Sequence, residues 1–391
     1  MMNQEELIRI SNQFGTPSFV FDLEKLRNRV NAMKEIVGGK YQLCYSIKAN
    51  PFLIPEMVKL VDHLEVCSPG ELDICKNLKV PGETIVYSGV NKGAADIEEA
   101  ITYGAGVLTA ESLHHMDLIQ MVAEKLNRTV DVLPRLNSGT QFGMSKEDLV
   151  SILTNPGKYG NIHVVGVHYF VGTQRKKLEK QREELQMLRE FFAEAKETYG
   201  FDLKRLEYGP GLAVPLFQGD DFSDTLQPLK ELHSSLAEVC EFADLTIEMG
   251  RFIATECGTY VTSVADLKSV GDLNYCILDG GMNHVNYLGQ MMGMKQPVID
   301  QLANDRDAHE IYCLCGSLCT TNDVMVRKIE MKKLELGDVL AFHNIGAYSV
   351  TEGIHLFLSR TMPRIILRNK ENDYVLARDF KKTSTINTPN V

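Results

Sequence analysis

Three stretches of this sequence put a reactive or charged side chain at the end of a short apolar run. Tyr45-Ser46-Ile47-Lys48-Ala49-Asn50 leaves a lysine where a strand would end. Partial burial there would desolvate the amine, lower its pKa and favour Schiff-base chemistry, although most lysines so placed are simply solvated. Glu248-Met249-Gly250-Arg251 joins a carboxylate able to hold a protonated ring nitrogen to a guanidinium able to take a phosphate or a carboxylate. An ion pair at the same place is the plain alternative. Gly209-Pro210-Gly211 is a turn that can aim backbone N–H groups at an anion, and taken alone it is more often just a turn. Arg135 and the pair His168 and Phe170 close two further apolar runs.

The elements that must position these side chains follow from periodicity. Strand-like runs cover Tyr41–Ile47, His63–Cys67, Thr84–Ser88, Gly106–Thr109, Val130–Leu136, Ile162–Phe170, Arg205–Tyr208 and Leu245–Glu248. The first four start 21 or 22 residues apart, which suits a strand, loop, helix and loop per repeat. Helix-like segments sit between them: Pro55–Val61, Ser68–Leu78, Ala94–Tyr103, Ser112–Leu126 and Leu178–Thr198. Ser68 and Glu71 have the spacing of a capping box. Eight such units predict an α/β fold, a (β/α)8 barrel, in preference to a doubly wound open sheet. In a barrel the loops at the C-terminal strand ends build the active site. Lys48, Arg135, Phe170, Gly209 and Glu248 all follow such ends.

Beyond about residue 260 the pattern changes. Thr259–Val264, Asn274–Leu278, Glu310–Cys315, Asp338–Phe342, Arg364–Arg368 and Tyr374–Ala377 read as strands with no long helices between them. The last two flank the polar turn Asn369–Asp373 and suit a hairpin. A mainly β C-terminal domain is therefore expected, with a frayed polar tail over Lys381–Val391.

Composition removes several function classes. The 391 residues exceed one ordinary core, so two domains are expected. The 41 Lys and Arg against 52 Asp and Glu give a net charge of −11, a field that repels phosphate backbones and anionic lipid. Nucleic acid and membrane surfaces are thus poor partners. No apolar stretch is long enough to span a bilayer. The nine scattered Cys and an acidic start without a basic, apolar leader read as a cytoplasmic chain with reduced thiols.

An amine, an anion cradle and a carboxylate in one layer of one fold match pyridoxal phosphate, whose aldehyde, phosphate and pyridine nitrogen need those three partners. The chain resembles the fold-type III pyridoxal-phosphate decarboxylases, the diaminopimelate and ornithine decarboxylase family, over nearly its whole length. The motifs that carry the resemblance are Tyr45–Asn50, Ser68-Pro69-Gly70-Glu71-Leu72, Gly166-Val167-His168 with Gly172-Thr173-Gln174, Glu248–Arg251, Cys319 with Asp323, and Gly346-Ala347-Tyr348. The resemblance implies a cofactor-binding barrel over residues 28–262, with 1–27 and 263–391 forming the β domain. It also implies a homodimer with shared active sites. By the same likeness Lys48 carries the cofactor and Glu248 holds its ring nitrogen. Gly209, Gly211, Arg251 and Tyr348 surround the phosphate, and His168 and Phe170 belong to the cofactor pocket. Cys319 reaches in from the partner subunit to reprotonate the carbanion, Asp323 sits beside it, and Arg135 joins the substrate-binding set.

Three departures bear on the substrate. Phe170 stands where many relatives place a histidine over the cofactor ring, so the ring can be stacked but not protonated from there. Pro210 deletes one N–H from a turn that is usually all glycine. Thr320 follows the reactive Cys, where the diamino-acid enzymes carry an acidic residue for the substrate's distal end. Loss of that charged partner disfavours free diaminopimelate, lysine and ornithine. Phe170, the run Glu248–Ile253, Asp279-Gly280-Gly281-Met282-Asn283-His284 and Leu318-Cys319-Thr320 resemble one subgroup, typified by the butirosin-pathway decarboxylase. That enzyme acts on glutamate tethered to an acyl carrier protein, a substrate whose far end is a neutral thioester. A small amino-acid substrate carried in this way is the expectation, with diaminopimelate decarboxylation, amino-acid racemisation and non-catalytic cofactor binding as the alternatives.

The remaining features take plainer readings. His284 lines the site or is a satisfied β-domain histidine, the former being favoured. Cys313 and Cys315 share a strand face but lack a second separated pair, so buried thiols rather than a metal site are expected. The 16 Met fill cores. Arg175, Lys176 and Lys177 suit a solvated helix start, and together with Lys92 they are the candidates for a basic patch that a carrier protein would need.

Overall fold

The computed structural model describes residues 2–287 and 295–390. The chain forms two compact units: Val30–Val214 with Asp224–Phe252, and Met1–Arg29 with Pro215–Ser223 and Ile253–Val391. The units divide at Arg29 and Val30 and at Phe252 and Ile253, and residues 215–223 join the second unit.

The first unit is the barrel. Its strands are Gln42–Ser46, His63–Val66, Ile85–Tyr87, Val107–Ala110, Val130–Pro134, a split pair Ile162–Val164 and Gly166–Phe170, Arg205–Gly209 and Asp244–Met249, all parallel. The eighth returns to the first, with Thr246 opposite Gln42. The sixth breaks at Val165, whose N–H donates to Val132 while its carbonyl accepts from Arg205. The ring is completed where Leu136 N–H donates to His168 O at 3.0 Å. Gly166 is required at this break, because a Cβ there would lie 1.7 Å from Arg205 O. Helices Pro69–Asn77, Ala94–Tyr103, Leu113–Lys125 and Leu178–Tyr199 fall within a residue or two of the expected ones; the first expected helix shrinks to the single turn Ile54–Met57.

Strand side chains alternate in direction, so one parity of residues fills the barrel. A cluster of Cys44, Val86, Val107 and Leu133 packs there with no more than 1% exposure. Above and beside it the same parity delivers Ser46, Glu65, Thr109, Arg135, His168, Glu207, Thr246 and Glu248, all buried. Barrel interiors are ordinarily branched and apolar. Burying this many polar groups costs stability unless they serve one another or a ligand.

The second unit holds a nine-stranded sheet. Three strands were not anticipated: Ser18–Asp22, Ile299–Leu302 and Val324–Lys332. Ser18–Asp22 lies between Gly258–Val270, antiparallel to it, and Arg364–Lys370, parallel to it. It is too short and too uniformly buried to alternate. The hairpin Arg364–Lys370 and Asp373–Arg378 turns through Asn372, whose φ of 58° is tolerated by an Asn. The tail is pinned at its start: Lys381 pairs with Met362, and Thr383 Oγ1 donates to Arg360 O at 2.9 Å.

Candidate active site

Lys48 sits in a single 3₁₀ turn, Ile47–Ala49, where the first barrel strand ends. Its Nζ lies 2.7 Å from Glu65 Oε2, 3.6 Å from Glu248 Oε1 and 3.4 Å from Cys67 Sγ, with the side chain 35% exposed. An ammonium therefore stands between two buried carboxylates on neighbouring strands. Glu248 is fully engaged: Ser46 Oγ donates to Oε1 at 3.0 Å, and His168 Nε2 meets Oε2 at 3.0 Å. Burial alone would raise the Glu248 pKa, but the Lys48 charge and the His168 contact outweigh it and hold the carboxyl well below the usual range. Burial and Glu65 push the Cys67 thiol up, so it is no thiolate.

Local structure explains the placement. Ser68 Oγ caps the second barrel helix by accepting from Glu71 N–H at 3.1 Å. Glu71 reaches back one residue further than a capping box would, accepting from Cys67 N–H at 2.7 Å. The cap thus fixes the residue whose sulfur touches Lys48. On the same rim, two strands away, Gly209 and Gly211 permit close approach: a Cβ on Gly209 would lie 2.3 Å from the Phe170 ring, and one on Gly211, where φ is +60°, 1.8 Å from Gly172 O. The carbonyls of Pro210 and Gly211 accept from Gln181 Nε2 and from Arg175 N–H. Pro210 has no N–H, so the donors left to this turn are those of Gly211 and Leu212. Arg251 is buried at the start of the short helix Arg251–Ala254 after the eighth strand.

Arg135 is committed elsewhere. Its Nη1 donates to Glu111 Oε1 at 3.0 Å, and its guanidinium lies over the rings of Phe142 and Phe170 at 5.0 and 5.8 Å. Glu111 in turn accepts from Gly143 N–H at 2.8 Å. Arg135 therefore orders the rim around Phe170 rather than presenting a free charge. Lys92 is no surface residue. Its Nζ donates to Gly89 O at 2.6 Å and to Thr109 Oγ1 at 3.3 Å, and burial pulls its pKa down to about 8. Arg175 is held by Glu184, which leaves Lys176 and Lys177 as the exposed members of that run.

The other expected residues belong to the second unit. Cys319 is exposed and Thr320 half-buried on the loop after His309–Cys315. Asp323 is 2% exposed, and its carboxylate accepts from Met282 N–H at 2.9 Å and Leu318 N–H at 2.8 Å. A Cβ on Gly281 or Gly316 would come within 2.5 or 2.3 Å of it. Asp323 is consumed in shaping the Cys319 loop, and burial raises its pKa. His284 is held on both ring nitrogens: Nδ1 meets Tyr260 OH at 2.8 Å and Nε2 meets Asn283 Nδ2 at 3.0 Å, and burial lowers its pKa to about 3. It is a satisfied histidine of the β unit. Tyr348 is half-buried with φ of 69°, on a loop pinned by Gly346 N–H donating to Thr255 O at 2.9 Å. Cys313 and Cys315 bring their sulfurs within 3.7 Å.

Glu65, Glu111 and Glu207 were missed by sequence reasoning. A signal was present for Glu207, which has the inward parity of the strand that ends in Gly209; Glu65 and Glu111 share the inward parity of strands whose ends carry no expected site residue.

The family model for the pyridoxal-dependent decarboxylase, pyridoxal binding domain, matches residues 23–255. The chain is 26% identical over 382 residues to a diaminopimelate decarboxylase of Aquifex aeolicus, covering 93% of this chain and 89% of that one. It is 26% identical over 400 residues to a diaminopimelate decarboxylase of Methanocaldococcus jannaschii, covering 95% of this chain and 90% of that one, and the crystal structure of the M. jannaschii diaminopimelate decarboxylase with L-lysine superposes with a TM-score of 0.85 over 97% of this chain and 92% of that one at 25% identity. It is also 25% identical to the L-glutamyl-[BtrI acyl-carrier protein] decarboxylase of Niallia circulans, covering 96% of this chain and 94% of that one. This chain belongs to the pyridoxal-dependent decarboxylases; it is a pyridoxal-phosphate-dependent amino-acid decarboxylase with a barrel and a mainly β domain.

The residues present fit that cofactor. The site offers an amine for an aldehyde, a buried carboxylate already steered by an imidazole for a ring nitrogen, and a glycine turn with a buried arginine for a phosphate. The Nδ1 of His168 and Nε of Arg135 are buried polar atoms without protein partners around it.

Proposed function

We propose that this enzyme decarboxylates an α-amino acid whose far end is neutral, a glutamyl group borne by an acyl carrier protein being the substrate class that fits best. The observation that carries the reading is Thr320: the residue beside the exposed Cys319 is uncharged, and the neighbouring Asp323 is spent on Met282 and Leu318. Neither offers the carboxylate that a distal ammonium would need. The likeness to a decarboxylase named for a carrier-bound glutamyl substrate supports it.

In this reading Lys48 Nζ would hold the cofactor through its aldehyde carbon. Glu248 would keep a proton at the ring nitrogen, and Ser46 and His168 fix the two oxygens of that carboxylate. Bound pyridoxal phosphate supplies the sink for the electron pair left on the α-carbon when carbon dioxide departs. Gly211, Leu212, Arg251 and Tyr348 would hold the phosphate. Phe170 would lie against the ring and has no proton to exchange. Cys319 Sγ returns a proton to the α-carbon, and its exposure suits a thiol that serves a site completed by a second copy of the chain.

Decarboxylation of free diaminopimelate is the second reading, favoured by the names of the Aquifex and Methanocaldococcus relatives. Mass spectrometry of products from the loaded enzyme offered free diaminopimelate, lysine, ornithine and glutamate alongside glutamyl-loaded carrier protein separates the two. Carbon dioxide lost from the tethered substrate alone is the expected result. Turnover of free diaminopimelate overturns the argument from Thr320.

A further inference from the structure

Beneath the Lys48–Glu248 layer the barrel holds an acid that the reading above does not use. Glu207 is wholly buried in the seventh strand, two residues before Gly209. Its register partners are His168 on one side and Thr246 on the other. Neither of its carboxyl oxygens has a hydrogen-bond partner, and neither has His168 Nδ1. Arg205 Nη2 approaches Oε2 only to 3.6 Å, too far for a hydrogen bond. Carboxyls buried for structural reasons are ordinarily hydrogen-bonded, so an unsatisfied one asks for another account.

The groups facing Glu207 come from five strands: Cys44 on the first, Glu65 on the second, His168 on the sixth, Arg205 on its own and Glu248 on the eighth. Burial raises its pKa most; Arg205 and His168 draw it back, Glu248 and Glu65 push it up again, and the balance falls at about 7. His168 contacts Glu248 directly and sits in register beside Glu207 on the adjoining strand. Its Nε2 is taken by Glu248 at 3.0 Å, and Nδ1 is the nitrogen left over on the residue in register with Glu207.

We propose that Glu207 is a positioning residue that sets the proton count of the His168–Glu248 pair, and through that pair the charge presented to the cofactor's ring nitrogen. The second half rests on the reading of Glu248 given above. An ionised Glu207 puts a second anion on the strand beside His168 and favours a charged imidazole. With Glu207 protonated, only Glu248 supports the imidazolium, and the imidazole side of the pair becomes neutral more readily. The electron sink is thereby tied to pH from inside the barrel, by a group that touches neither substrate nor cofactor.

The test uses the full chain with ¹⁵N-labelled histidine, with and without pyridoxal phosphate, titrated across the neutral range. The His168 ring resonances are expected to show an inflection that follows Glu207 and is lost in Glu207→Gln. The visible absorbance transition of the loaded enzyme is expected to shift in the same variant, and the pH profile of kcat to flatten with KM unchanged. A His168 signal with no such inflection, or one that survives in Glu207→Gln, overturns the proposal. If Glu207→Gln does not fold, Glu207→Asp must move the inflection, and an unmoved one overturns it equally. If His168 follows Glu207 but the absorbance stays put in both Glu207→Gln and Glu248→Gln, the second half of the proposal falls and the failure lies in the reading of Glu248.

Discussion

Each unit buries a cluster of charges, and the two clusters are built on opposite terms. In the β unit Arg368 is 7% exposed; its Nε donates to Glu6 Oε1 at 2.9 Å and its Nη1 to Asp22 Oδ1 at 3.0 Å and Glu24 Oε2 at 2.8 Å. Tyr374 OH donates to the same Glu6 oxygen at 3.0 Å. The burial of Glu6 is outweighed by Arg368 and Tyr374, and its pKa is lowered. These contacts tie the helix Gln4–Phe14, the strand Ser18–Asp22 and the start of the helix Leu23–Val37 to the final hairpin. In the barrel, Lys48, Glu65, Glu248 and His168 are equally close together, yet His168 Nδ1 and both oxygens of Glu207 are left over. A charge cluster that serves the fold is closed; one that serves chemistry keeps unmet valences.

Substitution should separate the two kinds. Lys48→Ala is expected to lower kcat by on the order of 10⁴-fold or more, with a urea midpoint near that of the parent, because the amine carries the chemistry in the proposed function and is partly exposed. Steady-state rates and equilibrium unfolding on one preparation decide it. A large loss of stability with the lost activity would mean that the barrel cluster also holds the fold. Arg368→Met is expected to do the reverse. It strands Glu6 and Asp22 in the interior and should cost about 3–5 kcal/mol by urea unfolding, leaving kcat per folded molecule unchanged. A cost under ~1 kcal/mol would show that this cluster is dispensable.

How much of this was legible beforehand divides along the same line. The eight strand ends were readable because each barrel strand is a short apolar run followed by the residue that the loop presents; Lys48, Gly209 and Glu248 are found where that logic puts them. Glu65 and Glu207 were not noticed, because they lie inside the runs, where a charged residue looks like an interruption of a strand rather than its inward face. Asp323 and His284 were read as site residues from their neighbours in sequence. Their true partners, Leu318 with Met282 and Tyr260 with Asn283, depend on how the sheet and its loops fold, which no local pattern reports. Ser18–Asp22 was missed for the same reason, since its only signal is burial against strands some 240 and 345 residues away, at Val261 and Arg364.

Glu207 sharpens the comparison through pH. Its folded pKa of about 7 lies above the ordinary 4.5, so between those values the folded chain holds a proton that the unfolded chain has released. Stability therefore falls as pH rises through that window, by up to ~3 kcal/mol from this group. Glu207→Gln removes the slope, so the difference in unfolding free energy between variant and parent should widen from acid to neutral pH. A difference that stays constant would mean that Glu207 is ionised throughout and paired in the way Glu6 is.

The smallest effect tests whether the contrast is sharp or graded. Ser68 caps a barrel helix, an ordinary structural duty, and Ser68→Ala should cost about 1 kcal/mol, as lost caps do. The same cap also orders Glu71, which holds Cys67 N–H, and Cys67 Sγ lies against Lys48 Nζ. If structural and chemical groups are separable, kcat should be unchanged once the loss in stability is allowed for. A severalfold fall in kcat in fully folded Ser68→Ala, measured well below its unfolding midpoint, would instead mean that helix capping reaches the amine through two contacts. The closed and unmet clusters would then be ends of a gradient running along the rim of the barrel.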